Sequence, residues 1–138
     1  MAIIDLHAHT TVSDGGLTPT EVVVLAARRG VTVLGITDHD TVEGIPEARL
    51  AGERVGVEIV PGVELNTDIE RPSGDGPDHA DILGYFVDIT DVAFRGLMAD
   101  ILAARDTRAR TMVERLQHLG VPIAWDEVAA LSGSGAVG

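Results

Sequence analysis

Apolar and polar positions run along this chain in blocks whose period switches between strand and helix. Residues 2–6 are a short apolar run, β-branched at the centre, and read as a buried strand. Thr18-Pro19-Thr20-Glu21 then opens a helix: Thr18 can cap free N–H groups, Pro19 suits the first turn, and Glu21 completes a capping box. Apolar spacing carries this helix to about Arg29, where Gly30 stops it. Residues 31–37 form a second apolar strand. Residues 43–54 are a weaker helix in which Pro46 fits only near the start. Residues 57–63 are a third strand. The stretch 68–81 breaks the pattern. Pro72, Gly74, Gly76 and Pro77 stand among Asp68, Glu70, Asp75, Asp78 and Asp81, which predicts an exposed acidic loop. Residues 82–87 read as a fourth strand. From about 91 to 119 Phe94, Leu97, Met98, Ile101 and Leu102, then Met112, Val113, Leu116 and Leu119, recur at helical spacing. Its polar centre, 105–110, predicts a bend or a free-standing middle. Gly120 ends it, and 125–131 is a last short helix.

Three strands alternating with helices predict an α/β fold, with a parallel sheet or part of a barrel. The tail 132–138 reads as a loop that leads onward, so a truncated domain is expected.

At 138 residues the chain is about one domain long. Its 45% apolar content suffices for a core that removes roughly two thirds of the unfolded surface from water. With 22 acidic and 10 basic residues the formal charge is −12, and the basic residues are all arginine. That balance disfavours stable binding of duplex nucleic acid, which needs a basic patch. The absence of cysteine excludes disulfides, thiolate zinc sites and thiol nucleophiles. Asp5 follows Met1-Ala2-Ile3-Ile4 at once, leaving no basic leader and no long apolar run. No apolar stretch approaches the roughly 20 residues a bilayer needs. The expectation is a soluble cytoplasmic protein without a membrane partner.

Polar residues gather where the buried strands end. The first gives Asp5, His7 and His9, then Asp14; the second gives Asp38, His39 and Asp40; the third gives Glu64. In a parallel α/β fold these ends share one face, where sites assemble. His7 and His9 are two apart in an extended chain, so their side chains point the same way. Two imidazoles with carboxylates suit a divalent transition metal such as zinc, manganese or iron. Asp5 could orient a histidine by hydrogen bonding to its other ring nitrogen. Asp38 and Asp40 could act similarly or serve as turn formers. His-x-His alone is a weak signal; this series at successive strand ends is a strong one. His118, near a helix end, reads as a dipole partner. Arg105, Arg108, Arg110 and Arg115 read as a solvated helix face.

These motifs resemble the PHP family, named for polymerase and histidinol phosphatase. The resemblance is carried by Asp5-Leu6-His7-Ala8-His9-Thr10, Ser13-Asp14-Gly15, Gly35-Ile36-Thr37-Asp38-His39-Asp40 and Pro61-Gly62-Val63-Glu64, in order, with an echo in Asp81-Ile82-Leu83-Gly84-Tyr85. The short loops are most similar to small stand-alone phosphoesterases that act on nucleoside 3′,5′-bisphosphates and on 5′ ends of short RNA. The resemblance implies a distorted seven-stranded β/α barrel holding two or three divalent ions (Mn, Zn or Fe) at its C-terminal face. It implies His7 and His9 on one metal, Asp14 and His39 on another, and Glu64 bridging two. Asp5, Asp38 and Asp40 receive no more than supporting roles. The family usually has histidine where this chain has Asp81, and either Asp81 or His79 would take that place. The family also continues with later strands and histidines. Residues 1–138 are therefore expected to be the N-terminal part of one PHP domain, a partial (β/α)7 barrel stopping after about four strands.

The implied activity is phosphomonoester hydrolysis of a small phosphorylated substrate, a nucleotide, by a metal-activated water and without a side-chain nucleophile. Two readings compete. An amidohydrolase-type enzyme also begins with His-x-His on a barrel strand, but many bridge their metals with a carboxylated lysine, and this chain has no lysine. A non-catalytic metal-binding fragment would hold metal weakly without turnover. The sequence leaves the oligomeric state open. The charge is compatible with the first reading, because Asp14, Glu64 and their neighbours await cations that can invert the local field.

Overall fold

The computed structural model describes residues 2–70 and 77–132. Its elements are β1 (Ile3–Ala8), α1 (Pro19–Arg28), β2 (Val31–Ile36), α2 (Ile45–Val55), β3 (Glu58–Glu70), β4 (Pro77–Tyr85), α3 (Val92–His118) and α4 (Trp125–Ser132). The strands form one sheet in the order β1-β2-β3-β4. Helical crossovers join β1 to β2 and β2 to β3, and both pairs are parallel. β3 and β4 follow each other directly and pair antiparallel. The result is the α/β half-barrel expected from the strand order, with its last strand reversed.

Local chemistry sets the helix ends. The Glu21 N–H donates to Thr18 Oγ1 at 3.3 Å, and the Thr18 N–H donates to the Glu21 carboxylate at 2.9 Å. The Thr18 N–H, and after it the hydroxyl, hold the Glu21 carboxyl below its usual range. α2 carries Pro46 in its first turn and ends at Gly56 with φ +76°.

Val23 and Ala26 of α1, Ala48 and Ala51 of α2, Leu34 and Ile36 of β2, Val57 just before β3, Val63 of β3 and Met98 of α3 bury one another in a single cluster. α2 lies so close to the start of β3 that a Cβ on Gly52 would sit 2.4 Å from the Val57 carbonyl oxygen. This packing fixes one side of the sheet. By strand alternation His7, His9 and Glu64 belong to the other side.

Three expectations change. β1 is not a buried strand: it lies at the edge of the sheet, with Ile3, Ile4 and Leu6 exposed. The acidic stretch around 68–81 is not simply a loop: β3 runs on to Glu70 and β4 starts at Pro77, placing Asn66 opposite Asp81 and Asp68 opposite His79. The backbone ladder supplies the pairing there, which a count of turn-forming residues does not register. Pro72, Gly74, Asp75 and Gly76, and residues 133–138, lie outside the described residues. The long helix is continuous through its polar centre, where Ala109 and Val113 are buried. Among the described residues no helix is long and apolar enough to cross a membrane.

Candidate metal centre

Pairing between strands continues past their ends and builds the site. The Thr37 N–H donates to the Ala8 carbonyl at 2.9 Å, and the Asp40 N–H to the Glu64 carbonyl at 2.9 Å. His39 and Glu64 form a further parallel bridge. Three segments that are far apart in sequence thereby end side by side.

Glu64 is the point on which they converge. Its side chain is 8% exposed, and its Oε2 lies 2.9 Å from His7 Nε2, 2.9 Å from His9 Nε2 and 3.6 Å from His39 Nε2. Asp14 closes the other flank, 3.2 Å from His9 Nδ1 and 3.8 Å from His39 Nε2. The Nε2 atoms of His7 and His9 are 2.9 Å apart. Among the described residues three donor sets result, each with its ligand atoms within 4.8 Å of one another: His7, His9 and Glu64; His9, Asp14 and His39; His39, Glu64 and Asp81.

These residues fit a divalent cation. Imidazole nitrogens this close oppose their lone pairs unless a proton or cation lies between them. The Nδ1 atoms of His9 and His39 are buried without a hydrogen-bond partner, Asp14 being near His9 but misaligned. An orphaned buried group of this kind costs about 1–3 kcal/mol, and at His9 Nδ1, which faces Asp14, coordination would remove that penalty. Mixed imidazole and carboxylate donors are the set that zinc, iron and manganese accept.

The neighbouring aspartates differ from one another. Asp5 Oδ1 accepts the His7 backbone N–H at 3.2 Å, so its contact is with the main chain and not, as the sequence suggested, with a ring nitrogen. Asp38 is 1% exposed and accepts three hydrogen bonds: Thr10 N–H at 2.7 Å, Ser13 Oγ at 2.7 Å and Thr10 Oγ1 at 2.9 Å. It pins the loop that carries Asp14. Asp38→Ala is expected to lower stability by about 3–5 kcal/mol, because bonds to a charged acceptor are lost and the Thr10 N–H is left buried. Urea denaturation of variant and parent checks this.

Asp40 adopts φ +55° and forms an ion pair with Arg105 of α3. Arg105 therefore does not belong to a solvated face; its side chain is only 16% exposed. A signal was available, since Arg105 falls in register with Met98, Ile101 and Ala109 on the buried stripe of α3. A cavity of about 220 Å³ opens beside the pair, lined by Asp40, Asn66, Ile101, Ala104, Arg105 and Arg108. His118 is exposed and its Nδ1 donates to the Glu114 carbonyl at 2.7 Å, away from the cluster.

Comparison with known proteins agrees with this geometry. The model of the PHP domain matches residues 5–123. A 5′-3′ exoribonuclease of Haemophilus influenzae is 41% identical over 128 residues, 93% of this chain and 44% of that protein. A 3′,5′-nucleoside bisphosphate phosphatase of Chromobacterium violaceum is 37% identical over 126 residues, 91% of this chain and 42% of that protein. Among solved structures, a Bifidobacterium adolescentis protein classed as a metal-dependent phosphoesterase has a TM-score of 0.83 at 31% identity, covering 99% of this chain and 46% of that one. A Chromobacterium violaceum protein described as an amidohydrolase, with sulfate bound and no metal, has a TM-score of 0.83 at 34% identity, with the same coverage. The chain spans under half the length of the curated relatives named here. The matched span takes in β1 with its histidines, His39, Glu64 and the helix that bears Arg105, and on that likeness the chain belongs to the PHP domain family.

Proposed function

We propose that this chain is the N-terminal, metal-holding part of a cytoplasmic PHP-domain phosphoesterase that hydrolyses phosphomonoesters of nucleotides, a nucleoside 3′,5′-bisphosphate or the 5′ end of short RNA. The observation that carries the reading is the convergence of His7, His9 and His39 on the Glu64 carboxylate, with Asp14 alongside. His7 and His9 would hold one divalent ion, Asp14 and His39 a second, with Glu64 shared between ions; zinc, manganese and iron all suit these donors. Such ions supply Lewis-acid charge for phosphate oxygens and bring the pKa of a bound water toward neutrality.

The chain's own residues set the geometry. Glu64 holds two imidazoles to one point, and Asp38 fixes the loop of Asp14. Ser13 Oγ donates to Asp38 at 2.7 Å and so helps to hold the same loop. The names of the exoribonuclease and phosphatase relatives support phosphoester chemistry. The amidohydrolase alternative is weakened because the shared carboxylate is Glu64 and the chain has no lysine.

The test is phosphate release from a nucleoside 3′,5′-bisphosphate by the full-length protein with added Mn²⁺. Release should stop in EDTA and return with metal. Hydrolysis unaffected by EDTA, or activity on amides alone, would overturn the proposal.

A further inference from the structure

The three donor sets are not alike in composition. His7, His9 and Glu64 offer two nitrogens and one oxygen, as do His9, Asp14 and His39, whereas His39, Glu64 and Asp81 offer one nitrogen and two oxygens. Imidazole-rich sets suit zinc and iron, and carboxylate with water suits manganese and magnesium. We propose that Asp81 makes the outer position of this cluster an oxygen-rich site that selects a hard cation, Mn²⁺ or Mg²⁺, beside an inner position that selects Zn²⁺ or Fe²⁺. The inference rests on reading the cluster as a metal centre.

The hairpin decides which residue reaches the site. Asn66 and Asp81 are opposite each other on β3 and β4, and Asn66 Nδ2 donates to Asp81 Oδ1 at 3.0 Å. That bond anchors the carboxylate and leaves Oδ2 to ligate. His79 is the alternative imidazole, and it stands on the same face two residues further out, about 6.6 Å along the strand. Its Nδ1 meets Asp68 Oδ1 at 2.7 Å, its side chain is 76% exposed, and it enters none of the donor sets among the described residues. The hairpin thus delivers an oxygen and keeps the available nitrogen away. Asp81 is exposed where Glu64 is buried, so an ion at the outer position keeps waters. Retained water suits Mg²⁺, which dehydrates reluctantly, and the mix of carboxylate and water suits Mn²⁺ as well.

Competition binding tests this without using activity. The full-length protein, stripped with chelator, is saturated with Zn²⁺ at about two equivalents and titrated with Mn²⁺, bound Mn²⁺ being read from loss of the free-ion EPR signal. The parent should take up close to one Mn²⁺ in exchange for or alongside Zn²⁺. Asp81→Asn should lose that Mn²⁺ and keep the tight Zn²⁺. Asp81→His should shift the Zn²⁺/Mn²⁺ preference of the position at least about tenfold toward Zn²⁺. Circular dichroism of the two variants controls for folding at this exposed position. An unchanged preference in Asp81→His, or loss of Mn²⁺ on His79→Ala in place of Asp81→Asn, would overturn the inference and leave the metal centre standing. Failure of the parent to bind any stoichiometric metal would overturn the metal centre, and the inference with it.

Discussion

Glu64→Gln should remove metal from the two donor sets that share Glu64 and lower phosphate release by about 10³-fold or more, while leaving the fold intact. The side chain is nearly isosteric, and its place on β3 is held by backbone bonds to Asp38 and Asp40 that the change does not touch. What it removes is the one negative charge facing three imidazoles within 3.6 Å. The amide would also offer N–H donors where a cation needs lone pairs. Asp14 and Asp81 remain, but each belongs to only one of the three donor sets, whereas Glu64 belongs to two. A second measurement separates lost metal from lost structure. Metal at 100 times its dissociation constant stabilises a protein by about 2.7 kcal/mol. EDTA should therefore lower the melting temperature of the parent and have a much smaller effect on the variant. A variant that keeps its metal through dialysis and turns over at the parent rate would remove Glu64 from the centre of the site.

The site was more legible in the sequence than its surroundings. His7 and His9 could be placed on one face because strand alternation is a geometric rule. The ends of β1 and β2 could be brought beside Glu64 because parallel strands align their C-terminal ends, although β3 itself runs on past Glu64 to Glu70. The Thr18 cap was readable for the same kind of reason, its hydrogen bonds being local. What escaped depended on contacts across space. Nothing within a few residues of Arg105 distinguishes it from Arg108 or Arg110; only the register of the buried stripe of α3 does, and that register matters because Asp40 waits on another element. The extension of β3 into the acidic stretch escaped because its strands are held by ladder bonds between polar residues, without the burial that gives a strand its hydrophobic signature. The choice between Asp81 and His79 needed the cross-strand register, which pairs one with Asn66 and the other with Asp68.

Asp40→Ala is expected to cost about 3–5 kcal/mol of stability, since it strands the charge of Arg105 in a site where the side chain is 16% exposed. The Arg105 Nε is already buried without a partner, so little else is in place to take over from the lost carboxylate. Backbone and charge contribute separately and can be separated. Asp40 has φ +55°, a conformation that Asn tolerates as well as Asp. Asp40→Asn thus removes the charge without altering the strain, and should account for most of the loss seen with alanine. Arg105→Met alone should be costly too, because it leaves a carboxylate that is 2% exposed facing an apolar chain. The double variant Asp40→Asn/Arg105→Met removes both charges and keeps the packing of α3 through Met98, Ala109 and Val113. Its loss should be smaller than the sum of the single losses by about 2–3 kcal/mol, a coupling of the size expected for residues in direct contact. Additive losses in the cycle would mean that the pair is screened by water and that apolar contacts, with the exposed Arg95–Glu43 pair, hold α3 against the segment after β2. A large coupling would mean that Asp40 ties α3 to the strand end one residue after His39, so that the helix and the metal centre are positioned by the same bond.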